Sequence, residues 1–295
     1  NLRDSVLHHF GPADDENENV AFSLGSLQDE VAETFAGQFD IVIGNPPWTR
    51  LREKEPENTE KALAEKREKN NISPSALMNA DFTRIGREVF KERGLDDLAK
   101  RYESPDKNPD LPFIWRSTQW AKEDGIITLA LPARIMHRSG KKGGTTWEAI
   151  ARTLFVTGLI NGSNLRKTGV WEGVDFPWCV LFAKNRTSPP EHRFRFSAPV
   201  YDLEQNKFAR FRIGYEGATV VSVAESIKRP WLLKTLSLGN YRDVDLMDDI
   251  LKAFPETLAQ VWKSWDPKEE STGQGYNLSP SLKQSEKTFI RDLKV

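Results

Sequence analysis

Apolar residues along this chain come in short β-branched runs, set between longer stretches of mixed charge. The clearest run is Phe39-Asp40-Ile41-Val42-Ile43-Gly44. It is short, β-branched and closed by Gly and Pro, which predicts a buried parallel strand. Ile126-Ile127-Thr128-Leu129-Ala130-Leu131-Pro132 has the same character, with Gly125 before it. Further strands are expected at Val20–Leu24, near Leu154–Ile160 and at Trp178–Ala183. Between them the pattern is helical: 28–37, Leu111–Ala121 and 145–153 each read as one helix. Phe82, Ile85, Val89 and Phe90 lie close to helical spacing inside the charged stretch 50–110, so two or three helices are expected there. Strand, helix and strand in alternation predict an α/β fold: a mostly parallel sheet with helices on both faces.

The pattern changes at "RTSPPEH", residues 186–192, which marks a domain boundary. Beyond it basic and aromatic residues alternate, first Arg193-Phe194-Arg195-Phe196, then Phe208 to Arg212. Strict alternation predicts a half-buried hairpin with an aromatic face and a basic face. Residues 223–265 read as helical, and the tail from 266 is polar.

Composition narrows the choice of function. The formal net charge of −1 over 295 residues gives no global sign of nucleic-acid binding, so any basic face is local. Arg134, Arg138, Lys141 and Lys142 fall within nine residues and are candidates for phosphate contact, as are Arg193, Arg195, Arg210 and Arg212. The single cysteine, Cys179, excludes an internal disulfide framework and fits a reducing cytoplasm; its apolar setting makes it a core filler. Four histidines and one cysteine show no metal-ligand spacing, and no metal is expected. No apolar run approaches the length of a membrane span.

The candidate chemistry follows the first strand: Asn45-Pro46-Pro47-Trp48. A parallel strand delivers such a turn to the carboxyl edge of its sheet, where ligands bind in open α/β folds. Asn45 offers an amide oxygen and Pro46 a backbone carbonyl, Pro47 stiffens the turn, and Trp48 offers a π-face. Two converging acceptors beside an aromatic plate suit a planar amine. Binding its hydrogens pulls the nitrogen toward tetrahedral geometry and frees the lone pair, while stacking on the ring is worth roughly 1–3 kcal/mol.

"FDIVIGNPPW" resembles motif IV of the adenine-specific N6 DNA methyltransferases of type II and type IIG restriction-modification systems. The resemblance implies S-adenosylmethionine as cofactor and double-stranded DNA as partner. It also implies that Asn45, Pro46, Pro47 and Trp48 are catalytic. The helix before Gly125 and the Leu-Pro that ends the next strand match the family's following motifs. By the same resemblance, the turn at Gly25 and Ser26 lines the cofactor's adenine, although the family often has an acidic residue where Ser26 stands. An aromatic just before the strand at Trp178 stacks on the flipped base; Phe176 and Trp178 are both candidates, Phe176 preferred, with a plain core role as the alternative. The 50–110 insertion is either a solvated face or a lid over the site.

The family holds the cofactor's methionine end on a glycine-rich loop after its first strand. Only 38 residues precede Phe39, too few for the first strands and their helices. Gly273-Gln274-Gly275 follows no apolar strand and fails the context test. The expected fold is therefore a Rossmann-like methyltransferase sheet lacking its first strands, followed by an α+β recognition-type region. Residues 1–187 would be the C-terminal half of the methyltransferase domain and 188–295 the start of the target-recognition region. The missing N-terminal half, in the same polypeptide or in a separate subunit, becomes an implied partner, and the chain alone is expected to be inactive. Two alternatives stay open: methylation of a protein glutamine or RNA base, and a non-catalytic DNA-binding or subunit-docking module.

Overall fold

The computed structural model describes residues 25–48, 74–106, 108–138, 144–200 and 217–256, with Gln260, Val261 and Ser264. The strand expected at Val20–Leu24 lies outside the described residues. Those up to Asn240 form one compact unit and those from Tyr241 a second.

The strands are β1 Phe39–Gly44, β2 Ala121–Pro132, β3 Phe155–Asn161, β4 Trp178–Lys184, β5 Arg193–Ser197 and β6 Thr219–Ser222. They make one sheet in the order β1-β2-β4-β3-β5-β6. The helices of the first unit are α1 Asp29–Thr34, α2 Pro74–Glu92, α3 Asp96–Arg101, α4 Asp110–Trp120, α5 Thr146–Thr153, α6 Val223–Lys228 and α7 Leu232–Leu238. The second unit holds α8, Tyr241–Ala253. This is a Rossmann-like α/β fold.

The sheet is mixed where the sequence predicts mostly parallel pairing. β1·β2 and β3·β5 are parallel; β2·β4, β3·β4 and β5·β6 are antiparallel. The cause is β4, which turns back after β3 and inserts between β3 and β2. As a result β1, β2, β3 and β5 all run the same way. The sheet also continues through 186–192, because β5 joins β3 on one side and β6 on the other. Both edges of β5 are thus taken, leaving neither for the expected hairpin strand at 208–212, whose residues lie outside the described ones. The alternation itself holds in β5: Phe194 and Phe196 are buried, Arg193 is exposed and Arg195 half-buried.

Helix α2 forms where the apolar spacing predicts it, and Phe82, Ile85, Val89 and Phe90 are all fully buried. Phe90, Tyr102 and Trp115 meet edge to face with centroids 4.9–6.0 Å apart. Gly86 makes room for this cluster, since a Cβ there would stand 2.6 Å from the Tyr102 ring. So α2 is fixed to the core by its apolar side. The charged stretch before it, 50–73, lies outside the described residues.

The two faces of the sheet differ. Ile127, Leu129, Leu131, Leu181, Leu159 and Phe196 share a buried face. Helix α5 covers part of it, with Trp147 against Phe194 at 5.6 Å. On the other face Ile43, Ile126, Thr128, Ala130, Phe182, Ile160 and Val220 are all half-buried or exposed. Helices on both faces are expected from the sequence; among the described residues one face stays bare.

β1 departs from expectation most. Among the described residues it pairs with β2 alone, at the edge of the sheet. Ile41 is 54% and Ile43 76% exposed. The run has the composition of an enclosed strand but, among the described residues, one neighbour.

Candidate active site

β1 and β2 run side by side with Gly44 opposite Leu129, so the Asn45 turn emerges beside the last residues of β2. A Cβ at Gly44 would make an ordinary packing contact with Leu129 Cδ2 at 3.4 Å. Asn45 and Pro47 are exposed, Pro46 is buried and Trp48 half-buried. The Asn45 amide therefore faces solvent at the carboxyl edge, on a turn whose first proline is packed in.

Trp48 is tethered by more than its proline neighbours. Its indole Nε1 donates to the Ala130 carbonyl at 3.2 Å. Its ring meets Trp171 edge-on at 5.4 Å, and Trp171 meets Trp178 at 5.3 Å. Trp178 lies flat over Gly162, where a Cβ would come within 2.3 Å of the ring. The Trp48 carbonyl accepts from Arg134 Nη2 at 3.2 Å. The same nitrogen donates to Asp110 Oδ2 at 2.8 Å. Arg138 donates to Asp106 at 2.9 Å and lies 3.5 Å from Asp110 Oδ2. Asp110 is wholly buried, and its other oxygen accepts from the Leu111 N–H at 3.0 Å. Burial pushes its carboxyl above the usual range, against the pull of Arg134 and Arg138.

The other sequence-predicted residues separate. Gly25, with φ of 54°, opens a 3-10 turn, Gly25–Leu27. The Ser26 hydroxyl in it is buried without a partner. Phe176 is 68% exposed, two residues before β4, whereas Trp178 is buried. Arg134 and Arg138 are engaged with Asp110 and Asp106, and Arg138 is 8% exposed in its side chain. Arg134 also supports the Trp48 turn from behind; Lys141 and Lys142, the other candidates for phosphate contact, lie outside the described residues. Arg193 begins β5 and so sits at the amino edge, opposite the turn. Four strand spacings, roughly 19 Å, also separate β5 from β1. Arg195 lies mid-strand, and Arg210 and Arg212 are outside the described residues.

Asp110, Trp171 and Arg116 belong to the site's support and are absent from the sequence reading. Asp110 sits in a run, "SPDKNPD", that reads as loop. Only its position before an apolar helix hints at a helix-start role. Nothing local distinguishes Trp171 from other loop aromatics.

For S-adenosylmethionine the fit is partial. The orphaned Ser26 hydroxyl suits the polar edge of an adenine. Among the described residues no glycine-rich loop offers backbone N–H groups to a methionine carboxylate. Also among them, no cluster of three or more His, Cys, Asp or Glu is arranged to hold a metal. No helix among them is long and apolar enough to cross a membrane.

The family model of the Eco57I restriction-modification methylases matches residues 6–160, and with them the whole Asn45–Trp48 turn. The chain belongs to this family. No curated protein matches it. Among solved structures, an Eco57I-family chain of this kind resembles the methyltransferase subunit of a type I restriction-modification system from Streptococcus thermophilus, with 16% identity and a TM-score of 0.41 over 70% of this chain and 40% of that one. It also resembles the type IIG restriction endonuclease BpuSI, at 11% identity and TM-score 0.40 over 75% of this chain and 23% of that one. A third similarity is to a type I restriction-modification system, at 10% identity and TM-score 0.39 over 81% of this chain and 47% of that one. This chain thus spans less than half the length of each of the three.

Proposed function

We propose that this chain carries the catalytic half of a DNA adenine-N6 methyltransferase of a cytoplasmic restriction-modification system. The observation that carries the reading is the Asn45-Pro46-Pro47-Trp48 turn at the carboxyl edge of the parallel pair β1·β2, with Asn45 open to solvent and Trp48 tethered behind it. S-adenosylmethionine, when bound, supplies the electrophilic methyl group. The residues of this chain do the rest. The Asn45 side-chain oxygen and the Pro46 carbonyl accept the two hydrogens of the target amine, and Trp48 holds the base by one face. As positive charge develops on the nitrogen, both acceptors bind it more strongly than in the ground state. The catalytic gain is orientation plus electrostatics.

A base inside a duplex cannot reach this edge, so the target adenine is flipped out. Residues 1–187 hold the core of the C-terminal half of the methyltransferase domain, whose sheet continues into β5 and β6, and target recognition begins within 188–295. Among the described residues, the bare sheet face and the unpaired edge of β1 support the idea that an N-terminal half, from the same polypeptide or another subunit, completes the fold. A parallel edge strand with Ile41 and Ile43 in water is poorly protected against pairing.

The test is methyl transfer by the full-length protein from labelled S-adenosylmethionine to duplex DNA, RNA and a release-factor-like protein. Label recovered as N6-methyladenine in DNA is the expected result. Label in a glutamine amide or in RNA overturns the substrate assignment. Binding of duplex DNA with no transfer to any substrate leaves the docking-module alternative. The isolated 295-residue chain is expected to transfer nothing until the N-terminal half is added.

A further inference from the structure

Helix α4 reaches both turns of the proposed site through buried charge. Arg116, in its middle, is almost wholly buried and donates from Nε to the Leu27 carbonyl at 2.9 Å. Its other nitrogens bind Gln119 Oε1 at 2.6 Å and the Asp29 carboxylate. The Gly25–Leu27 turn is therefore held directly by an α4 side chain. At the start of α4, Asp110 holds Arg134, whose Nη2 also donates to the Trp48 carbonyl. One guanidinium nitrogen thus bridges the helix and the second turn.

A carboxylate fully removed from water is costly, and packed apolar residues commonly replace such groups without loss of stability. What the pair supplies is direction. A guanidinium is planar with donors in a fixed fork, so Asp110 sets the plane of Arg134 and Arg134 sets where the Trp48 carbonyl sits. From that carbonyl the constraint passes back through Pro47 and Pro46, each with a fixed φ, to Asn45. Arg138, paired with Asp106, also approaches the Asp110 oxygen that holds Arg134, at 3.5 Å.

We propose that α4 is the strut of the site: Asp110 positions the Asn45–Trp48 turn through Arg134, and Arg116 positions the Gly25–Leu27 turn. The roles of the two turns rest on the methyltransferase reading; the mechanical coupling does not.

The experiment uses the full-length protein labelled with 5-fluorotryptophan, the Trp48 resonance being assigned by Trp48→Phe. Asp110→Asn and Arg134→Lys are expected to shift the Trp48 fluorine resonance, and Arg116→Lys to leave it in place. An unmoved Trp48 resonance in both of the first two variants overturns the proposal. In the methyl-transfer assay, Asp110→Asn is expected to lower kcat on the order of 10²-fold with the KM for S-adenosylmethionine unchanged, as misplacement of a catalytic group does. Arg116→Lys is expected to do the reverse, raising that KM with kcat nearly kept. A merely structural role would move kcat and KM together in both variants, and that result also overturns the proposal. Asn at position 110 keeps an oxygen for the Leu111 N–H. Should that variant fail to fold, Arg134→Lys, on a part-exposed side chain, carries the same two readouts. If the wild-type protein methylates nothing, the functional reading falls, and the fluorine shifts still decide the strut.

Discussion

β1 and β2 are neighbours, run in parallel and deliver their ends to the same edge, yet they live in different surroundings. β2 lies between β1 and β4, with Ile127, Leu129 and Leu131 buried on one face. β1 has one neighbour among the described residues, and its isoleucines stand in water. The difference shows that burial belongs to the covered face and not to composition: Ile41 and Ile43 share the uncovered face with Ile126, itself 46% exposed in the enclosed strand, while Ile127, Leu129 and Leu131 on the covered face are core. It also shows where the rigidity of the Asn45 turn comes from. An edge strand fixes its end poorly, so the turn is held by tethers across to the enclosed strand and its sequel, from Trp48 to Ala130 and from Arg134 to Trp48.

The largest expected effect lies on the enclosed side of this comparison. Leu131→Ala should destabilise the fold by about 2–5 kcal/mol, because the cavity it leaves is ringed by packed side chains. Denaturant melts of the two proteins measure it; a loss below 1 kcal/mol would mean that β2 is no more enclosed than β1. Next comes Asn45→Ala, on the open side. Turnover in the complete enzyme should fall on the order of 10²–10³-fold, as when one preorganised hydrogen-bonding group is removed elsewhere. Stability should barely change, since Asn45 is exposed. Asn45→Asp keeps an acceptor oxygen in place and should retain appreciable activity. A destabilised but fully active Asn45→Ala variant would make the turn structural.

Most of this fold is legible in the sequence, and the reasons are local. β1, α2 and α5 carry their period in their own residues, so they stand where the pattern puts them. The Asn-Pro-Pro-Trp turn is legible because its chemistry is contiguous. What escapes is what depends on partners distant in sequence. The exposure of Ile41 and Ile43 depends on what covers their face of the sheet, which they share with Ile126. The return of β4 between β2 and β3 depends on a loop with no period. Arg134 and Arg138 look like a basic cluster until Asp106 and Asp110, some 24–32 residues earlier, are folded against them. Charge counted along a chain cannot reveal whether a carboxylate already holds the guanidinium.

A third effect separates anchoring from stacking at Trp48. Trp48→Ala should weaken capture of the flipped base by roughly 1–3 kcal/mol. Trp48→Phe should restore most of this but not all, since phenylalanine lacks the N–H that binds Ala130. Fluorescence of 2-aminopurine at the target position reports base flipping in each variant. Equal loss in the Phe and Ala variants would make the indole N–H, and not the ring face, the contributing group.

A smaller effect concerns Asp29, beside the other turn. Burial pushes its carboxyl up, but hydrogen bonds from Arg116 and Arg84 outweigh that and hold it below the usual value. A carboxylate so depressed stabilises the fold above its ordinary pKa and loses that contribution as pH falls through the depressed one. Asp29 is half-exposed, so the contribution should stay below about 1 kcal/mol. Asp29→Asn should flatten the acid limb of a stability–pH profile by that amount and leave the neutral-to-alkaline shape unchanged. An unaltered acid limb would show that Arg116 is held without it.

The smallest expected effect closes the comparison from the open side. Ile43→Ser should change the stability of the isolated chain by no more than about 0.5 kcal/mol, as for most exposed positions. With 76% of its surface already in water, little apolar area remains to lose. The same substitution should matter once an N-terminal half covers the face that Ile43 shares with Ile126 and Thr128, because Ile43 then passes from water into a core. The measurement is therefore paired: melts of the isolated chain, and the affinity of that chain for the separately produced N-terminal half. Affinity lowered while stability is kept is the expected outcome. A loss of about 2 kcal/mol in the isolated chain, the size expected for a side chain that is already packed, would mean that β1 is enclosed without any partner. Unchanged affinity would mean that the N-terminal half does not cover this face.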